Sequence, residues 1–295
     1  MSNTENLLDA FRYGRGLEKQ SLKLKIQRVF GVVWAQMKIL LNYKMQFFLE
    51  VIDIILNVLI YYFIGFLVSG DELAKLGYRT SYQAFALVGI ALSRYIWTSI
   101  SRISRRMQRE ISIGTFESVL VTNTSIDLWI IGQALFGFLW SSLWFVGTLV
   151  SGILIGIPII ITVYNLPQII FIVLFSVLVH ASIGILFAAI AILYKQIETV
   201  LFVFSTTIEF LGGVVYPIAI LRKYQPLYYL SLMIPFTHSL ELMRKVMISG
   251  INIWDPAASI NLIALSLFLP LVWLSFKVLN YYYEEARKLG ELSSY

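Results

Sequence analysis

Residues 46–68 read QFFLEVIDIILNVLIYYFIGFLV, a run of 23 positions with only two charges. Comparable apolar runs recur at 82–102, 127–156, 167–193, 197–216 and 258–280. About 20 apolar residues cross the hydrocarbon of a bilayer as a helix. In that medium a chain must close its own backbone hydrogen bonds, which leaves helices for runs of this length. Hydrophobic residues make up 58% of the chain and charged ones 14%. A soluble domain carries about a quarter charged residues, so the composition agrees with a polytopic membrane protein.

The spacing around these runs predicts the remaining organisation. Residues 23–44 place Ile26, Val29, Phe30, Val33, Trp34, Met37, Leu40 and Leu41 at three- and four-residue intervals, with Lys25, Arg28 and Lys38 off the stripe. That pattern predicts an amphipathic helix lying in the membrane interface or packed on a partner domain. The expected domains are a cytoplasmic N-terminal segment (1–45), a six-span membrane domain (46–280) and a cytoplasmic tail (281–295). The fold class expected is an all-α polytopic membrane protein. It has six transmembrane helices, the interfacial helix, and short outer-side helices before the last span. The first twenty residues lack an early apolar core, so no cleaved leader is expected.

Orientation follows from Lys and Arg in the connections. With the N-terminus inside, sixteen basic residues fall on the inner side and six on the outer. Both termini are then cytoplasmic, in a multi-pass protein of the cell membrane. The net charge of +6 reads as basic residues held at an anionic leaflet rather than as a nucleic-acid surface. The long connection 217–257 is aromatic and apolar, punctuated by Pro217, Pro226 and Pro235. It is expected to dip into the membrane or fold as short helices on it, either as an outer gate or as interface packing.

The chain lacks the parts of several enzymes. There are no cysteines and only two histidines, His180 and His238. No Gly-Lys dipeptide occurs, so no P-loop can cradle a nucleotide, and no nucleophile elbow is present. No cofactor of its own is expected. Uphill transport would need an ion gradient or a partner supplying energy. A lipid-acting membrane enzyme would need clustered His, Asp or Glu, whereas the two histidines lie far apart in sequence.

Charges inside spans need a reason. Arg94 and Glu209 each lie ~18 Å along their spans at 1.5 Å per residue, which predicts a pair near mid-membrane, structural or on a translocation path. Glu50 and Asp53 fall nearer the inner end and are expected to be solvated there. His180 is read either as a proton relay or as a side chain bonded to a neighbouring helix. Thr148, Gly152 and Gly156 repeat every four residues, a stripe that lets helices approach closely.

The most polar interruption is RRMQREISIGTFESVLVTNTS, residues 105–125. Arg106 and Glu110 form an i,i+4 pair, Met107 and Ile111 lie one turn apart, and Gly114 can break the helix. One face can then pack on the spans while a polar face meets a partner.

This segment carries Glu110, Gly114, Thr115, Glu117, Thr122, Ser125 and Gly132 in the order of the type-2 ABC exporter permease family, which it resembles; Asn123 stands where that family carries proline. GGVVYPIAIL (212–221) is similar to the family's Gly-x-x-Tyr/Phe-Pro segment, with Tyr216 and Pro217. IPFTHSLELMRKVMISG (234–250) is similar to its following loop, with Pro235, Thr237 and Arg244. The resemblance implies a permease subunit of an ATP-driven exporter, without ATPase activity of its own. It implies two copies of a cytoplasmic ATPase subunit binding ATP and magnesium, and a second permease subunit, identical or related. Arg105, Arg106, Arg109, Glu110, Gly114, Thr115 and Glu117 would form the coupling loop, and Tyr216, Pro217, Pro235, Thr237 and Arg244 an outer gate. A hydrophobic or amphipathic substrate (drug, lipid or lipid-linked glycan) is the expected cargo, and a gradient-driven secondary transporter is the alternative.

Overall fold

The computed structural model describes residues 21–115, 124–194 and 197–289. Among these residues the secondary structure is entirely helical. Helix α1 (Leu22–Asn42) starts at Ser21, whose side chain accepts a hydrogen bond from the Leu24 amide. The chain bends at Tyr43 into α2 (Lys44–Ile64), followed by the short α3 (Gly70–Lys75). Next come α4 (Tyr82–Ile96), a π-helical turn (Trp97–Arg102) and α5 (Ile103–Ser112), which run on as one 31-residue helix. Helices α6 (Ile126–Leu154) and α7 (Leu166–Leu193) are the longest single elements. They precede α8 (Glu198–Leu211), a 3₁₀ turn (Ile218–Lys223), α9 (Gln225–Leu232) and α10 (Pro235–Met247). The last span is split into α11 (Pro256–Ser266) and α12 (Pro270–Leu289), at Pro270, which has no amide hydrogen to continue the first half.

Among the described residues, five helices are long and apolar enough to cross a membrane: Lys44–Ile64, Tyr82–Ser112, Ile126–Leu154, Leu166–Leu193 and Pro256–Lys288. The predicted span 197–216 is the exception. It folds as α8, only 14 residues or ~21 Å long at 1.5 Å per residue. Its end is set by Gly213, whose φ is +71°. The Val214 amide donates to the Glu209 carbonyl and the Gly213 amide to the Phe210 carbonyl, the two bonds of a Schellman cap.

Helix α7 is the centre of the bundle, packed by α12, α5, the π turn and α10. The long α4–α5 helix lies between α7 and α6. Two close approaches fix this arrangement. A side chain on Gly184 of α7 would stand 2.2 Å from the Ser99 carbonyl oxygen in the π turn, and the Ser104 hydroxyl donates to the Gly184 carbonyl at 2.9 Å. A side chain on Gly152 of α6 would meet Leu87 at 2.3 Å. The small-residue stripe on α6 therefore divides: Thr148 and Gly152 face α4, while Gly156, at φ +85°, closes the helix end.

Helix α1 lies against the start of α6, where Gly132 admits Val32 and the Val29 carbonyl. Its apolar stripe is split: Val33 and Gln36 are buried, whereas Ile26, Phe30, Trp34 and Leu41 are exposed. Helices α2 and α8 each keep a large apolar face open, with Phe48, Ile55 and Ile60 exposed on α2 and Val200, Phe202, Val203 and Phe210 on α8.

Gly184→Val should clash with backbone and not with a movable side chain. We expect a lower melting temperature in detergent, corresponding to about 1–3 kcal/mol. Gly31→Ala, in open space on α1, should be neutral or stabilising by about 0.5–1 kcal/mol.

Candidate functional site

Three polar constructions interrupt the apolar bundle. The first is the end of the long helix at Gly114. Ile103, Ser104, Met107 and Ile111 are buried on α5 and face α7, while Arg105, Arg109, Ser112 and Ile113 are exposed. Gly114 has φ +68°. The Thr115 amide donates to the Glu110 carbonyl and the Gly114 amide to the Ile111 carbonyl, a second Schellman cap. The Glu110 side chain locks it, accepting from the Thr115 hydroxyl while paired with Arg106. At 5% exposure this carboxylate holds the turn and is not itself a contact surface. What the turn presents is Arg105, Arg109 and Ile113. Glu117, with Phe116, Leu120, Thr122 and Asn123, lies outside the described residues.

The second is a cavity of about 260 Å³ among α2, α4, α6 and α8, lined by Asn57, Tyr61, Ser93, Arg94, Trp97 and Glu209 among others. The direct ion pair of Arg94 is not with Glu209, as its depth suggested, but with Asp53. The same arithmetic explains the difference. Asp53 lies ~14 Å from the start of α2 and Arg94 ~18 Å from the start of α4, and antiparallel helices crossing ~30 Å of hydrocarbon then bring them to one depth. Arg94 also sits over the Trp144 ring, 4.7 Å from its centre, an attraction that strengthens as water is excluded. Glu209 and Trp97 line the cavity opposite. Trp97 opens the π turn, whose wider winding rotates the residues after it relative to the α-helical face.

Among the described residues His180 hydrogen-bonds within its own helix and not to a neighbouring one. Its Nδ1 lies 2.6 Å from the Ser176 carbonyl of its own helix, its ring meets the edge of Phe236, and Nε2 has no partner within the described residues.

The third construction is built on Arg244, whose side chain is 1% exposed. Its guanidinium donates to Val214 O at 2.7 Å, to Phe85 O at 3.4 Å and to Glu241 at 3.3 Å, and lies 3.5 Å above the Phe85 ring. Gly89 makes room, since a side chain there would stand 2.1 Å from the Val214 oxygen. The Tyr78 hydroxyl donates to Glu241. Burial, and then the Glu241 carboxylate beside it, push that phenol upward, so it stays a donor. Tyr216 donates to the Phe210 carbonyl, Pro217 precedes the 3₁₀ turn, Pro235 opens α10, and the Thr237 hydroxyl donates to Ser231 O at 2.7 Å. The residues expected at an outer gate thus share one end of the bundle.

Asp53, expected to be solvated at the inner end, is instead the ion-pair partner of Arg94; Trp97, Glu241 and Tyr78 were not singled out from the sequence. For Asp53 the depth count was the available signal, and for Glu241 its i,i+3 spacing to Arg244.

The family model described as ABC-2 type transporter covers residues 28–248. No curated protein matched the chain.

Arg244→Met should remove the guanidinium donor from Val214 O and leave the buried Glu241 carboxylate with Tyr78 but no countercharge, at a cost of about 3–5 kcal/mol. Arg244→Met combined with Glu241→Met should recover part of the lost melting temperature. Equal losses in the single and double variants would show that the pair is not the cause.

Proposed function

Because the chain belongs to the ABC-2 type transporter family, we propose that it is the permease subunit of an exporter driven by ATP hydrolysed in a separate cytoplasmic partner. The family's chains are membrane components of ABC-type transporters, and this chain is a multi-pass membrane protein of that kind. The finer reading is that two such permease subunits, alike or related, associate with two ATPase subunits that carry ATP and magnesium. The substrate is a hydrophobic or amphipathic molecule.

The observation that carries this reading is the Gly114 end. A helix exposing Arg105, Arg109 and Ile113 is fixed rigidly to α7 and continues without a loop through the π turn into α4. A push on that turn reaches Trp97 and Arg94 along one helix. The count of sixteen basic residues against six supports a cytoplasmic position for this end, both termini and α1. The Arg244 end is then outside and holds the gate.

Reversing charge at the turn (Arg109→Glu with Ile113→Asp) should reduce co-purification of the ATPase subunit and lower substrate-stimulated ATP hydrolysis at least tenfold, with the melting temperature unchanged. Robust ATP-independent transport by the purified chain alone would overturn the reading.

A further inference from the structure

Arg94 and Glu209 are the charged residues that line the membrane-depth cavity, and Arg94 is already paired with Asp53 beside it, so two carboxylates stand against one guanidinium. An uncompensated charge in hydrocarbon costs several kcal/mol, and natural spans keep one where it has a partner or a function. The chain shows how this cavity handles a cation, because it already holds one. Arg94 is bound by a carboxylate, Asp53, and by the face of an indole, Trp144.

Across the cavity Glu209, Trp97 and Tyr61 again supply a carboxylate and aromatic rings, and among the described residues no basic side chain forms an ion pair with Glu209. Arg94 cannot serve both carboxylates equally while it is seated between Asp53 and Trp144. Asn57, Ser93 and Thr148 supply hydrogen-bonding groups, and Ile54, Ile90 and Val214 supply an apolar wall.

We propose that this half of the cavity binds the positively charged group of an amphipathic organic ammonium, with the ammonium on Glu209 between Trp97 and Tyr61 and the apolar part against Ile54, Ile90 and Val214. A carboxylate with aromatic faces is the chemistry that recognises such a cation. A lipid phosphate would meet two carboxylates there and be repelled. At about 260 Å³ the space takes one ring or a short chain beside the charged group. This inference rests on the transport reading and names the substrate class of that permease.

The test measures equilibrium binding of radiolabelled phenyltrimethylammonium to the purified full chain in nanodiscs, without the ATPase. The expected result is saturable binding that tert-butylbenzene, the uncharged molecule of the same shape, does not displace. Glu209→Gln should weaken binding at least tenfold. Arg94→Gln should strengthen it several-fold, by removing the one positive charge from the cavity. Asp53→Asn should weaken it, because the freed guanidinium turns to Glu209. Opposite signs for Glu209→Gln and Arg94→Gln separate recognition from damage to the fold. Three results would overturn the proposal: equal losses in those two variants, displacement by tert-butylbenzene, or competition by sodium at equal concentration. Because the assay needs no nucleotide, loss of this site and loss of ATP-driven export are read independently.

Discussion

The turn at Gly213 governs more of this structure than any other single feature. Its left-handed backbone ends α8 after 14 residues, and two chemical consequences follow. The Val214 carbonyl, released from helical pairing, becomes the acceptor for Arg244 at 2.7 Å. Glu209, in the last turn of α8, is left beside the cavity. A side chain at Gly213 would press on Ile218 and the Tyr216 carbonyl, at 2.6 and 2.8 Å. The conformation and the space therefore demand glycine for separate reasons.

The polar groups of the bundle are arranged by the same rule that makes it helical. A carbonyl or charge removed from water must find its partner within the chain. At Arg244 the rule is met by several acceptors and an aromatic face, and the outcome is a rigid cluster joining α4, the segment after α8, and α10. At Glu110 it is met by Arg106 and Thr115, and the outcome is a fixed turn. At mid-membrane it is met for Arg94 and only in part for Glu209. The clusters at Arg244 and Glu110 stiffen the ends, and the cavity with Glu209 lies between them.

Apolar runs, spacing and the helix-ending role of Gly114 were legible in the sequence, because each depends on local chemistry within one or two turns. The length of α8 was not: Gly212 and Gly213 offered a stop, but hydropathy alone ran on to residue 216. Partner choice among charges was harder still. Depth counting put Arg94 and Glu209 at one level, yet Asp53 shares that level, and only the packing of α2 on α4 selects it. The π turn leaves no sequence signature and could not have been foreseen. The split of the α1 stripe depends on Gly132 a hundred residues away.

On the proposed reading, the chain couples a charged turn at one end of a continuous helix to a polar cavity at its middle. The chain's lack of cysteine allows this to be tested at single positions. A photo-crosslinker on a cysteine at Ile113 (60% exposed, beside Gly114) is compared with one at Tyr164 (90% exposed, between α6 and α7) in intact cells. The account predicts a crosslink from position 113 to an ABC ATPase subunit, identified by mass, and none from 164. Capture of the ATPase from 164, or from neither position while transport persists, would contradict it.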